Sequence, residues 1–396
     1  MVPIIILGLG STMTVKCSTC ISAMIAVAFP CPALRGQGHR YVVFEDGKHG
    51  YIDERRSLVI PIALEGTYVL NFSEERAMFA EPVRPAPQKY PYVDKNGNLR
   101  IFREEKWGFI DTTGAVAIPA QFDAAMDFHD GLAGVGFDTD RTNYSCTDCD
   151  RNRRWGFIDK HGQVVIQAQY RSVRPFSEGL AAVEDDHGKW GYIDAAGHLA
   201  IPFRFATARS FHDELAAVAI DKLAGYIDKQ GQFVVMPRFA IAGDFSDGLA
   251  AVRVGGKTGS IILGPSGGKW AFIRKDGKVQ IHLPSNVEQA EGFSEGRAVI
   301  EVHAKCGYID PSGTLAIAVA FAGCGDFSEG LADVFKDGTP VYIDKSGHVA
   351  LALAHSRIHP FRNGLAAVEE GISGPTQKFG YIDKMGNPVW EPRPAL

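Results

Sequence analysis

The chain has 396 residues, enough for two or three ordinary domains or for one long repeat array. It is 45% hydrophobic and 22% charged, which excludes wholesale disorder. The formal net charge is -5 with no basic cluster, which excludes a phosphate-tracking nucleic-acid surface, while 44 Gly and 21 Pro imply many turns and therefore many short strands.

The N-terminal stretch differs from the rest. Its first 34 residues hold one Lys, no Arg and no acid, with apolar runs at Ile4–Leu7 and Ile21–Phe29. Read from Met13, it has a short n-region with Lys16, the apolar run "ISAMIAVAF" and a small residue, Ala33, at the end of "CPA". That plan predicts a secretory signal peptide over residues 1–33 and a secreted or periplasmic protein. The alternative is a retained N-terminal membrane anchor. Neither apolar run reaches the roughly 20 residues that span a bilayer, so no stable span is expected after cleavage. Phe29-Pro30 before Cys31 does not fit a lipobox. Removing residues 1–33 leaves four Cys of the seven. Cys146 with Cys149 and Cys306 with Cys324 are the disulfide candidates in a compartment that permits them.

From residue 34 to 396 the chain is a tandem repeat. "KWGYIDAAG" at Lys189–Gly197 returns as "KWGFIDTTG" at Lys106, "RWGFIDKHG" at Arg154 and "KCGYIDPSG" at Lys305. In most copies a Phe follows the Asp by 17 residues, at Phe128, Phe176, Phe211, Phe245, Phe327 and Phe361, usually inside "FSEGLAAV" or a variant. Full units are expected near 50–80, 106–136, 154–184, 189–219, 224–253, 269–302, 305–335 and 341–369, with partial units at 90–102 and 378–392.

Each landmark has a physical role. "WGYID" alternates as a strand does, with Trp190 and Tyr192 on one face and Gly191 and Ile193 on the other. Gly191 lets another backbone or ring come close. Asp-x-x-Gly is turn chemistry: Asp111, Asp159, Asp194 and Asp228 accept from turn amides, and Gly114, Gly162, Gly197 and Gly231 supply positive φ. "HLAIP" then completes a hairpin. About ten residues of loop lead to the Phe. Ser-Glu-Gly is a second tight turn, and "LAAV" a third strand. The connectors after "LAAV" vary in length, most at Asp138–Arg153, Gly255–Gly268 and Glu370–Gln377, as loop insertions do.

The pattern [KR]-W-G-[FY]-I-D-x-x-G followed by F-[SH]-[ED]-G-L-A resembles the WG-repeat proteins of bacteria, over roughly Tyr41 to Pro392. The departures fall mostly at the Trp, replaced by His49, Ala224, Cys306 and Phe379. The resemblance implies a non-catalytic β repeat with an interaction role. Three short strands cannot bury a face alone, so neighbouring units must cover each other. The expectation is an all-β, solenoid-like array of about eight three-stranded antiparallel units. A closed β-propeller is the alternative, set second because propeller blades usually carry four strands.

The chemical motifs dissolve on inspection. Gly264-Pro265-Ser266-Gly267-Gly268 matches G-x-S-x-G, but a strand follows where a nucleophile elbow needs a helix. Gly255-Gly256-Lys257-Thr258 lacks the P-loop's first Gly, with Ala251 in its place. Cys146 and Cys149 form a lone C-x-x-C, without the second pair a structural zinc usually needs. Asp138, Asp140, Asp148 and Asp150 lack the EF-hand Gly and Glu. His129-Asp130 and His212-Asp213 fall at the Ser-Glu turn. No catalytic residue, metal or cofactor is therefore expected. Trp107, Trp155, Trp190 and Trp270 either fill the inter-repeat core or form a row for sugar stacking. These readings point to a non-enzymatic exported scaffold with an unknown protein partner; the alternative is a cell-wall or glycan-binding module. A specific site, if present, is expected where the pattern fails: 138–153, 255–268 or Arg274.

Overall fold

The computed structural model describes residues 39–45, 48–65, 68–83, 92–93, 99–100, 105–139, 153–256, 267–353, 355–371 and 378–394. The predicted signal segment, Cys146 and Cys149 lie outside them. The chain forms the expected all-β tandem array of small antiparallel sheets. Among the described residues there are six four-stranded sheets, a three-stranded sheet at the N-terminal end, a seven-stranded sheet and a two-stranded hairpin. The seven-stranded sheet is two four-stranded sheets joined by one long strand, Phe233–Ser246, which serves both. Leaving the hairpin aside, the described residues therefore hold nine sheets in sequence.

The fourth sheet shows the plan. Its strands are Ser172–Val173, Leu180–Glu184, Trp190–Asp194 and Leu199–Phe205, paired in that order. By sequence these are the Phe strand, the Leu-Ala strand, the Trp-Gly strand and a fourth, outer strand. The expected three strands per unit must be corrected to four. The stretch read as a loop leading to the Phe itself pairs with the Leu-Ala strand, through Ser172↔Glu184 and Val173↔Val183. Each sheet also takes its first two strands from one sequence unit and its last two from the next. That offset ties neighbouring units together covalently and by pairing.

The Gly of Trp-Gly follows from a bulge. Trp190 pairs with Phe205 while Tyr192 pairs with Ile201, so the outer strand carries extra residues opposite Gly191. A Cβ on Gly191 would lie 2.6 Å from the Ile201 carbonyl oxygen. The exceptions support this reason. Ala271 and Val341 occupy the Gly position where the outer strand is only Val279–His282 or Val349–Ala352. There it runs in step across that position, with Ala271↔His282 and Phe272↔Ile281, and Val341↔Ala352 and Tyr342↔Leu351.

The core lies between sheets. The aromatic residue of each Trp-Gly strand meets the Phe of the following sheet: Tyr192 and Phe211 have ring centroids 5.0 Å apart, Tyr226 and Phe245 4.8 Å, Tyr342 and Phe361 4.7 Å. The hydroxyls of Tyr51, Tyr192, Tyr226, Tyr308 and Tyr342 also donate to a carbonyl of the next sheet, Tyr192 to Arg209 O at 2.8 Å and Tyr308 to Gly325 O at 2.7 Å. Burial holds the phenols of Tyr192 and Tyr308 protonated, raising their pKa far above the ordinary range.

The two ends of the array meet. Tyr41, Val43 and Ile52 of the first sheet form one apolar cluster with Leu365 of the last, packed against Tyr381, Val389 and Trp390. Arg56, which stands where other units have the turn Gly, pairs with Asp383 at 2.9 Å. The array is closed by contact, as the propeller alternative requires.

Candidate functional site

Both tight turns of each unit fall on one face of the closed array. The Asp of Asp-x-x-Gly caps its turn: Asp194 Oδ1 accepts from Ala196 N at 3.0 Å and His198 N at 2.8 Å, and Asp159 does the same for His161 and Gln163. Gly114, Gly162, Gly197 and Gly231 have φ between 78 and 86°. A Cβ on Gly197 would lie 3.2 Å from the Ile166 side chain of the preceding sheet. Asp111 is held below the usual carboxylate range, chiefly by the Thr113 hydroxyl. At Arg274 the capping acid is missing, and Asp276 accepts from Lys278 N instead.

The Ser-Glu-Gly turn holds a feature that sequence reasoning missed. Its acid has positive φ as well as its Gly, 55° at Glu178 and 87° at Gly179, which makes a two-residue type I′ turn. A side chain there costs about 1–2 kcal/mol. The acid is retained because it reaches the next sheet. Glu178 accepts from Glu214 N at 3.1 Å, Asp130 from Gly179 N at 2.8 Å and Glu295 from Gly330 N at 2.9 Å. Lys229, Lys345 and Lys384, in Asp-Lys turns one sheet on, pair with Glu178, Glu295 and Glu329. His129-Asp130 and His212-Asp213 belong to this series, since Asp213 accepts from Gly248 N. An acid recurring at a turn position that other proteins give to Asn or Gly was the available signal.

The indoles lie inside. Trp155, Trp190 and Trp270 are 8%, 9% and 4% exposed, and Trp107 is half-buried against the core between the second and third sheets. Arg153, Arg174 and Arg253 place guanidinium carbons 6.0, 5.4 and 5.9 Å from the ring centroids of Trp155, Trp190 and Trp270. Each Trp packs with a small residue of the following sheet, such as Ala208 beside Trp190 and Val173 beside Trp155. At Cys306 this pair becomes a disulfide. Cys306 takes the Trp position and Cys324 the position of Ala208, with Cα atoms 6.1 Å apart.

The inner edges of the Phe strands depart most from the repeat in charge. Arg209 binds Asp244 of the next sheet through Nε–Oδ1 at 2.7 Å and Nη2–Oδ2 at 2.8 Å. The same two positions hold Glu291 and Asp326 at the joint of the seventh and eighth sheets. Both carboxyls are pushed above their usual range by burial, Glu291 also by Asp326. Asp333 replaces the second Ala of "LAAV", and burial raises its pKa to about 6. Gly325 makes room for it: a Cβ there would touch Asp333 Oδ1 at 2.3 Å. One sheet on, Glu369 is 5% exposed and held by His359 Nε2 at 2.7 Å and Arg357 at 3.4 Å. Among the described residues no His, Cys, Asp and Glu side chains converge with metal-binding geometry.

The comparisons agree with the repeat. The model of the family described as "WG containing repeat" matches residues 107–138, 155–190, 190–223, 225–257, 307–339 and 342–371. No curated protein matches the sequence. Similar solved structures include the computationally designed Ika8 protein, 11% identical with TM-score 0.39, covering 78% of this chain and 97% of that one. BamB from Moraxella catarrhalis is 11% identical with TM-score 0.40, covering 74% and 93%. The WD40 β-propeller domain of Doa1 is 14% identical with TM-score 0.32, covering 63% and 92%. Scores this low carry no argument about function. The recurring Trp-Gly hairpin, its turn and its Phe, matched six times by one model, place the chain in the WG containing repeat family.

Proposed function

We propose that the protein is a non-enzymatic, exported repeat scaffold that binds a protein partner through the face bearing its variable connectors. The observation that carries this reading is topological. Three Leu-Ala strands, ending at Asp138, Val254 and Glu370, lead to Trp-Gly strands that begin at Arg153, Lys269 and Lys378, and these strand ends, which carry the variable connectors of the sequence, lie on the face opposite the two tight turns. Insertions gathered on one face of a repeat array are the usual place for binding determinants. The turn face, by contrast, is occupied by the repeated acid–amide and acid–Lys bonds. Export is supported by the N-terminal apolar segment and by the Cys306–Cys324 disulfide. The glycan-binding alternative finds less support, because Trp155, Trp190 and Trp270 are buried with Arg side chains over their rings.

A photoreactive residue at Thr139, at the start of the connector before Arg153, tests the reading against the same residue at Arg55 on the turn face. The expected result is a protein adduct from envelope extract at Thr139 and none at Arg55. Adducts only at Arg55, or only with polysaccharide, would count against it. Export is read separately, by N-terminal sequencing of the mature chain, which is expected to begin at Leu34.

A further inference from the structure

Among the described residues the first sheet has three strands where a full sheet has four, and none of the three is a Phe strand. Its strand Arg40–Glu45 stands in the place of a Leu-Ala strand. The register Arg40↔Asp53, Tyr41↔Ile52, Val42↔Tyr51 repeats that of Leu180↔Asp194, Ala181↔Ile193, Ala182↔Tyr192. Tyr41 therefore occupies the position of Ala181. In the other eight sheets that position is always Ala, and Ala77, Ala133, Ala216 and Ala366 are all 0% exposed. The small residue is required because the Phe of the same sheet lies directly across from it, as in Phe128↔Ala133 and Phe293↔Ala298.

We infer that the Tyr41 side chain makes, at the joint of the last and first sheets, the contacts that the Phe of a Phe strand makes at the other joints, and so closes the array. No Phe stands opposite Tyr41 among the described residues, and the ring is only 6% exposed. It meets Tyr381, the aromatic residue of the last Trp-Gly strand, edge-on at 5.5 Å. Elsewhere a Phe makes that contact, at 4.9 Å in the pair Phe272 and Phe293. The Tyr41 hydroxyl goes further and reaches Arg362 O at 2.9 Å and Asn363 O at 2.8 Å in the last sheet's tight turn. One side chain thus supplies both the ring contact and the turn contact that other joints take from a strand. Asn71 of the second sheet adds a bond to the same strand, its Oδ1 accepting from Val42 N. No described strand runs on from the last sheet into the first, so this joint opens before the others when Tyr41 is lost.

Hydrogen exchange of the full chain, resolved by peptide, tests the inference on Tyr41→Ala and Tyr41→Phe. In Tyr41→Ala, exchange is expected to rise at least tenfold in both Arg40–Asp53 and Lys378–Asp383, with Ser172–Phe205 unchanged. Tyr41→Phe keeps the ring contact and loses the two carbonyl contacts, so a rise of a few fold confined to the same two segments is expected. Acceleration in the first sheet alone would make Tyr41 an ordinary core residue and overturn the inference. So would unchanged exchange in Lys378–Asp383, or uniform acceleration through every sheet.

Discussion

Asp333 sits where the repeat has Ala, and its environment makes a pH dependence. Burial raises its folded pKa to about 6 from the ordinary aspartate value of 3.8. Between those values the folded state holds a proton that the unfolded chain releases. The stabilisation is complete below about pH 4 and is lost as pH rises through about 6, on the order of 2–3 kcal/mol if the whole shift is expressed. Glu291 and Asp326 are raised as well and add to the same slope. Asp333→Asn is expected to be more stable than wild type at pH 7.5 and nearly equal to it at pH 4, measured by urea unfolding at each pH. Equal stability at both would contradict the account. A second prediction concerns packing. Gly191→Ala forces a methyl group into the Ile201 carbonyl and is expected to cost about 1–3 kcal/mol in thermal unfolding. Much of this scale was legible beforehand. Gly191 was read as a place of close approach, and the Asp and Gly of the turn keep the geometry their chemistry implies. Asp333 was not legible, because nothing in "LADV" tells which of two alternating faces lies against a neighbouring sheet.

The element least legible was the Phe strand. In the fourth, fifth and eighth sheets it is two residues long, Ser172–Val173, Thr207–Ala208 and Gly323–Cys324, too short for alternation to reveal. Only pairing with the Leu-Ala strand makes it a strand, and pairing is not written in local sequence. The Ser-Glu-Gly turn was legible as a turn, though its acid's reach to the next sheet was not. Glu178→Ala keeps the left-handed cost and loses the bond to Glu214 N, an expected loss of about 1–3 kcal/mol. Glu178→Gly is expected to lose about 1 kcal/mol less, since Gly relieves the backbone. The reverse order in thermal melts would contradict the turn assignment. The disulfide was among the sequence candidates. It joins Lys305–Ile309 to Gly323–Cys324 in the next sheet, across a separation of 18 residues. Its removal as Cys306→Ala with Cys324→Ala is expected to cost about 3 kcal/mol, by loss of a constraint on the unfolded chain. Unchanged unfolding of the double variant would show that packing alone holds the joint.

At the scale of the molecule, repeat identity and strand content could be read from periodic landmarks, because each copy repeats the same local chemistry. Closure could not. It depends on one end residue, Tyr41, standing in for an Ala found in all the other sheets, and on Arg56 standing in for a Gly. A single chain read without its fold shows these as irregular copies, when they are the residues that let the last sheet meet the first. Placement on one face of the strand ends that flank the long connectors follows from topology too, since only the strand order assigns them to an end of the sheets. The central claim is that nine sheets form a closed array. Small-angle X-ray scattering by the full chain tests it most directly. A closed array predicts a single-peaked pair-distance distribution and a radius of gyration within a few ångströms of the roughly 21 Å typical of a compact chain of this length. A long tail at large distances, as an open superhelical array produces, would contradict it.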